Sequence, residues 1–205
     1  MLVALLVFGD VEARHFAERQ VAHVIRTHEP GATAKVRIAS FPFVGRLAVS
    51  RQVQKITADV RNVPVNTAAG NFTLDDVQLT LKGVKVDLGP LVAGSNDAVK
   101  SIRSGSVRAI LSETQLDKIV KLPVTLGNGS AQVTVAGVQV NGTATVSNNV
   151  LHLAAGPAAI NITLPSLPVL PCIANVAVVS GQLVLGCTFN TVPAALLKAA
   201  TTGSP

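Results

Sequence analysis

Residues 78–87 read QLTLKGVKVD, and residues 132–141 read QVTVAGVQVN. Gln, Thr, Gly and two Val are shared between the two stretches. In each, apolar residues alternate up to the glycine and then change parity. Leu79 and Leu81 precede Gly83 while Val84 and Val86 follow it, and Val133, Val135, Val138 and Val140 stand in the same way around Gly137. A parity change inside a strand turns its apolar set to the opposite face. A one-residue bulge at the glycine restores the face and bends the strand. Hairpin turns at the two glycines are the alternative. Because only two residues separate the apolar sets, the bulge is preferred, and a sheet bent at such points wraps around something.

The surrounding sequence supplies the rest of that sheet. Val53–Asp87 reads as two long strands around a turn at Ala69-Gly70-Asn71, and Ile102–Leu111 as another. After Leu122 the alternation resumes through VTL, AQVTV, TATV, VLHL, INITL, VAVV and QLVL. Apolar residues make up 48% of the 205 residues, mean hydropathy is +0.47, and most of the apolar side chains are aliphatic, which suits pleated sheet. A chain of this length supports one domain with a sizeable core.

What the sheet wraps is the best helix in the sequence, Asp10–His28. Ala13, Phe16, Ala17, Val21, Val24 and Ile25 recur at three- and four-residue spacing, and Asp10 is placed to cap the start. The preceding MLVALLVFGD is apolar but far shorter than the roughly 20 residues of a membrane span. It reads either as the end of an anchor or as the first turns of the helix. The fold class expected is α+β, a long N-terminal amphipathic helix in a highly curved antiparallel sheet. Ser112-Glu113-Thr114-Gln115 has the form of a capping box ahead of a short helix through Lys121, and Val192–Ala200 reads as a closing helix. The order of a short helix followed by strands occurs twice, which suggests two related units.

Cys172 and Cys187 flank a hairpin signal at Ser180-Gly181. The pairing favours a disulfide, and with it an oxidising compartment, over two buried thiols.

Few chemistries fit the remaining residues. The sequence has no nucleophile elbow, phosphate loop or dinucleotide-binding turn. His15, His23 and His28 are not spaced as a metal pair, His152 stands by itself in an apolar strand, and Asp75 and Asp76 are neighbours whose side chains diverge. No enzyme activity, metal or cofactor is expected. Net charge is +6, with Lys and Arg scattered among acids up to Lys121 and Lys198 the only charge beyond it. That distribution argues against nucleic acid and leaves attraction to anionic headgroups open. A large aliphatic interior behind a half-uncharged surface suits a protein that encloses something apolar.

The stretch SFPFVGRLAVSR at 40–51 places two of the six phenylalanines around one proline. Pro42 pushes Phe41 toward an extended conformation and suits the first turn of a helix, so the stretch is a strand-to-helix hinge. Phe43 and Leu47 then share a helical face.

At SFPFVGRLAVSRQVQKITADVRNV the chain resembles the actinobacterial LmeA-like family. Its members show an FPF motif, a short helix and a strand like Lys55-Ile56-Thr57-Ala58-Asp59-Val60 here. The resemblance continues through LDDVQLTLKGVKVDL at 74–88 and INITLPSLPVLPCIANVAVVSGQLVL at 160–185. It implies a tubular lipid-binding fold of the BPI-like type and a non-enzymatic, phospholipid-binding protein of the cell envelope or periplasm. Membrane association would be through the N-terminus. It further implies a mycobacterial or related origin, phosphatidylinositol-type lipids, and support for mannan elongation of lipomannan and lipoarabinomannan. A membrane mannosyltransferase is then a candidate partner, and a scaffold of such an enzyme that carries no lipid is the alternative.

On this reading residues 10–200 form a single lipid-binding domain, with an apolar lead at 1–9 and a tail at 201–205. Acyl chains would meet Val21, Val24, Ile25, Phe41, Phe43, Leu47, Leu79 and Leu81, each of which reads equally well as plain core. Arg46 and Arg51 would pair with the phosphate, or stand as surface arginines.

Overall fold

A computed structural model describes residues 2–28, 31–67, 70–92, 98–127, 129–147, 150–155, 158–163, 174–179 and 181–192. Helix α1 (Leu2–His28) leads into β1 (Thr33–Ala39), α2 (Phe43–Ser50) and the long pair β2 (Gln52–Thr67) and β3 (Gly70–Val86). The short α3 (Leu88–Val92) precedes β4 (Val99–Ser112), and α4 (Glu113–Val120) follows it directly. Then come β5 (Val124–Leu126), β6 (Ala131–Val135), β7 (Val138–Ser147), β8 (Val150–Ala155), β9 (Ala158–Thr163), β10 (Ala174–Val179) and β11 (Gln182–Val192). The expected closing helix after Val192 and the Pro-rich 166–171 lie outside the described residues.

The strands form an antiparallel six-stranded sheet, ordered β1-β2-β3-β4-β11-β10, and a five-stranded one, β5-β6-β7-β8-β9. The larger sheet does not close on itself. The fold is therefore α+β, an N-terminal helix on a large open antiparallel sheet. Backbone bonds join the sheets where the Gly129 N–H meets the Val178 carbonyl at 2.9 Å and the Gly181 N–H meets that of Leu126 at 2.8 Å. A core of Val65, Phe72, Leu111, Leu116, Val133 and Leu183 lies at this junction, with α4 contributing Leu116, Ile119 and Val120.

The two glycine stretches resolve differently. Ala136 and Gly137 both have positive φ (50° and 83°) and link β6 to β7, with Val135 opposite Val138. This is a two-residue hairpin turn, not a bulge, and left-handed geometry at both central positions matches the strand twist. Gly83 lies inside β3 with φ +63°, yet no extra residue is inserted there. Val53 faces Val84 and Lys55 faces Lys82 in one unbroken register, and β4 keeps its register with β3 on both sides of the glycine.

The parity change is absorbed by the whole sheet instead. Val53, Val84, Ile102 and Val192 share one apolar cluster with Ile56, Leu81, Val107 and Phe189. Within β2, β3, β4 and β11 these members are separated by odd steps of three or five residues. All four strands thus change facing at the level of Gln54, Gly83, Arg103 and Thr191, where Thr191 also has a positive φ of 59°. A bulge would have slipped one strand against its neighbours. A row of simultaneous changes keeps the register through the level of Gly83 and moves the apolar face, as a bending sheet requires; the one slip between β3 and β4 comes later, between Lys85 and Val86.

Two further expectations are corrected by the helices. Helix α1 begins at Leu2, so residues 2–9 are its first turns and Asp10 caps nothing of its own. Ser112 is the N-cap residue of α4 but makes no side-chain cap bond. The capping-box side chains bind other elements: Glu113 accepts the Leu126 N–H, and Gln115 Oε1 accepts that of Thr73 at 3.3 Å.

Candidate functional site

The site is built where α1 and α2 cross the large sheet. Phe43 is buried, and it shares a cluster with Leu47, Ala13, Ala17, Leu81, Val84 and Ile38. The FPF hinge works as its sequence suggests. Phe41 stays outside at 60% exposure while Phe43 turns in, and Pro42 occupies the N-cap position with a cis bond before it. Further along α1, Ala22 and Ile25 pack with Val36, Ala58 and Leu79.

The apolar face of α1 is only half covered. Ala13, Ala17, Val21 and Val24 follow one another at three- and four-residue steps and so share a face. Its first half packs into the cluster with α2. Its second half is open, with Val21 41% and Val24 47% exposed. Of the expected lining residues, Phe43, Leu47 and Leu81 thus meet in one cluster and Ile25 and Leu79 in the next, while Val21 and Val24 lie along the open strip. Phe41 joins neither cluster. The arginines do not converge on the strip. Arg46 Nε donates to the Phe41 carbonyl at 3.0 Å, and its terminal nitrogens reach the Gln54 amide oxygen at 3.0 and 3.2 Å. Arg51 ends α2 in a left-handed conformation, and its carbonyl accepts the Val86 N–H.

On its other side α1 meets the free edge of β1. A groove of about 560 Å³ there is lined by Glu12, His15, Glu18, Arg19, Ala22, Arg26, Ala34, Lys35 and Val36. It is open and lined mostly by residues with charged or titratable ends, and none of the expected lipid-lining residues faces it. Glu18 closes one end, accepting the Ile38 N–H at 2.7 Å and a bond from His15 at 3.1 Å.

The carboxylates show a pattern that sequence reading missed. Asp10 accepts from the Val44 N–H at 2.6 Å, Asp75 from Ser112 at 2.7 Å and Asp117 from Val124 at 2.6 Å. With Glu18, Glu113 and the Gly89 contact of Asp87, six of the nine acids among the described residues hold backbone N–H groups. Asp87 also takes Lys100 Nζ at 3.2 Å. That bond, with the Gly89 N–H, lowers its pKa from the ordinary value. Such carboxylates are committed to holding elements together. Among the described residues no group of His, Cys, Asp and Glu is arranged to hold a metal.

One polar chain has catalytic order. Ser147 Oγ lies 2.8 Å from His152 Nε2, and His152 Nδ1 lies 2.7 Å from Asn161 Oδ1. The three sit on the exposed face of β7, β8 and β9, where His152 is directly opposite Asn161. Only the strand register brings them together, so their sequence spacing gave no signal. Ser147 ends β7 opposite Val150, and among the described residues no backbone N–H groups are gathered beside it as an oxyanion hole needs. The chain is a cross-strand polar ladder.

A family model described as LmeA-like phospholipid-binding matches residues 8–186. The chain belongs to that family. No curated protein and no solved structure matches it. The match runs from within α1 into β11, so the LmeA-like region includes both helices of the site and most of the large sheet. Phospholipid is accordingly the ligand class of the family to which the chain belongs. No helix among the described residues is long and apolar enough to cross a membrane.

Proposed function

We propose that this LmeA-like protein is a non-enzymatic phospholipid carrier of the cell envelope, built as a single domain over residues 10–200. One observation carries the reading: the apolar face of α1 is sealed by α2 at Ala13 and Ala17 and open at Val21 and Val24. An acyl chain laid along the open half, beside Ile25 and Leu79, would cover apolar surface at about 25 cal/mol per Å². Phosphatidylinositol-type lipid, a role in mannan elongation of lipomannan and lipoarabinomannan, a mycobacterial-type periplasm, N-terminal membrane association and a mannosyltransferase partner are the finer parts of the proposal. Their support is the family resemblance.

A Cys172–Cys187 disulfide belongs to the same proposal. It is supported by the absence of a free thiol among the described residues and by the β10–β11 hairpin, which sets Ala174 opposite Cys187. The periplasmic placement would follow from it.

Native mass spectrometry of the purified chain, before and after exposure to phosphatidylinositol vesicles, tests the proposal. Adducts of phospholipid mass that exchange for the offered lipid are expected. A chain that stays lipid-free under both conditions ends the reading.

A further inference from the structure

The outer side of α2 is apolar except for Arg46. On an eight-residue helix, Phe43 and Leu47 point into the core. The opposite side, by helical geometry, presents Val44, Gly45, Ala48 and Val49. All four are exposed, with Val44 at 47% and Val49 at 89%, and the 60% exposed Phe41 stands just before the helix. A helix with so many apolar positions is ordinarily enclosed by its own protein; this one is covered on one side only. Clustered apolar residues of this kind mark a contact with another phase or molecule.

Charge points to the occupant. The stretch from Ser40 to Arg51 contains Arg46 and Arg51 and no acidic residue; Asp10 is buried beneath α2 and bonded to it, and Asp87, which feels the charge of Arg51, is paired with Lys100. Apolar residues flanked by arginines suit an anionic lipid surface, which offers both an acyl boundary and negative headgroups. Placement agrees. The turn of α1 that holds α2 is directly preceded by the apolar Leu2–Phe8, so both lie toward the start of α1, on the sealed half of its apolar face.

We infer that the outer face of α2 is the surface by which the protein docks on anionic phospholipid bilayers. Val44, Ala48 and Val49 enter the interface, and the arginines meet the headgroups. This deepens the carrier reading, because docking on α2 would bring α1, and the strip along it, to the membrane from which lipid is taken.

The test compares the native chain with the V44S/V49S double variant on vesicles of phosphatidylcholine mixed with phosphatidylglycerol, by co-sedimentation. Both valines are exposed, so the variant folds, as its melting curve will show. Its partition onto the vesicles is expected to fall by about tenfold, and the native chain is expected to bind pure phosphatidylcholine vesicles more weakly and to release from the mixed ones as salt rises. Equal partition of both chains, or no binding by the native chain, overturns the inference. So does a native dimer that the variant dissociates, which would make the face a contact between copies. Native mass spectra of the same samples separate the two claims. Adducts retained by a variant that no longer docks support both, whereas docking without adducts in either chain sinks the carrier reading and leaves the docking face standing.

Discussion

Asp10 Oδ1 accepts the Val44 N–H at 2.6 Å, so a carboxylate in the middle of the first helix supplies the N-terminal cap of the second. Pro42, at the cap position of α2, has no side chain able to do this. The carboxylate also meets the positive end of the α2 dipole. The seat of α2 on the sealed half of the site therefore depends on one buried acid, 34 residues away in sequence.

Replacing Asp10 with Ala leaves the Val44 N–H without its partner and should lower the free energy of unfolding by about 1–3 kcal/mol. Asp10→Asn keeps an acceptor oxygen and should cost less. Denaturant melts of the three chains check this. Equal stability of native and Ala chains would show that α2 holds its place without the cap.

The two matching glycine stretches give a second comparison. Gly83 and Gly137 both have positive φ, so a Cβ at either costs about 1–2 kcal/mol for the left-handed backbone. Beyond that their surroundings differ. A Cβ at Gly83 would lie 2.9 Å from the Arg103 Cβ and 3.1 Å from Gln52 Nε2, while one at Gly137 meets nothing within 4 Å. Gly83→Ala should therefore destabilise the protein more than Gly137→Ala, and thermal melts of the two variants would expose the reverse order if the row of facing changes did not depend on that glycine.

These positions also show how far the sequence could be read. The strands, the FPF hinge, the inward Phe43 and Leu47 and the β10–β11 hairpin follow from local pattern, because alternation, proline geometry and turn residues act over a few positions. Gly83 and Gly137 have nearly the same neighbours in sequence, yet one lies in a continuous strand and the other makes a turn. What separates them is the facing of β2, β4 and β11, which no stretch of β3 can report. The same holds for the acids. Asp10, Ser112 and Gln115 look like helix-capping residues, but their side chains or backbone bind partners on other elements. Val21 and Val24 read as core or as lining with equal right, since sequence pattern registers an apolar face and not what covers it.

Asp87 gives a pH prediction. Its carboxylate is bonded to Lys100 and to the Gly89 N–H, and its pKa lies below the ordinary 3.8. A group with a lowered folded pKa stabilises the fold fully above its unfolded pKa, and that contribution is lost as pH falls through the folded value. The corner between β3 and β4 should thus weaken only on acidification below the ordinary aspartate range. Asp87→Asn should melt with a smaller difference between neutral and strongly acidic pH than the native chain. A variant with the native acid dependence would assign that dependence to other carboxylates.

The ladder Ser147–His152–Asn161 has the order of a nucleophile, a base and an orienting group, but it lies on an open strand face. A fluorophosphonate probe should leave Ser147 unlabelled, as peptide mapping can show. His152→Ala should lower stability by less than about 1 kcal/mol, with lipid adducts unchanged. Specific labelling at Ser147 that His152→Ala abolishes would mean that the ladder acts on substrates.

Val21 tests the strip itself. Its side chain is 41% exposed, so Val21→Glu places the new carboxylate in water, and stability should change by no more than about 0.5 kcal/mol. An acyl chain lying against residue 21 would have to strip that water from a charge, which is far more costly than covering a valine. Lipid adducts in native mass spectra should fall by at least about tenfold while the melting curve stays in place. Val138, exposed at 64% in the smaller sheet, is the control: Val138→Glu adds the same charge away from α1 and should leave the adducts intact. If both variants lose lipid, bulk charge is responsible; if neither does, the acyl chain does not run along α1.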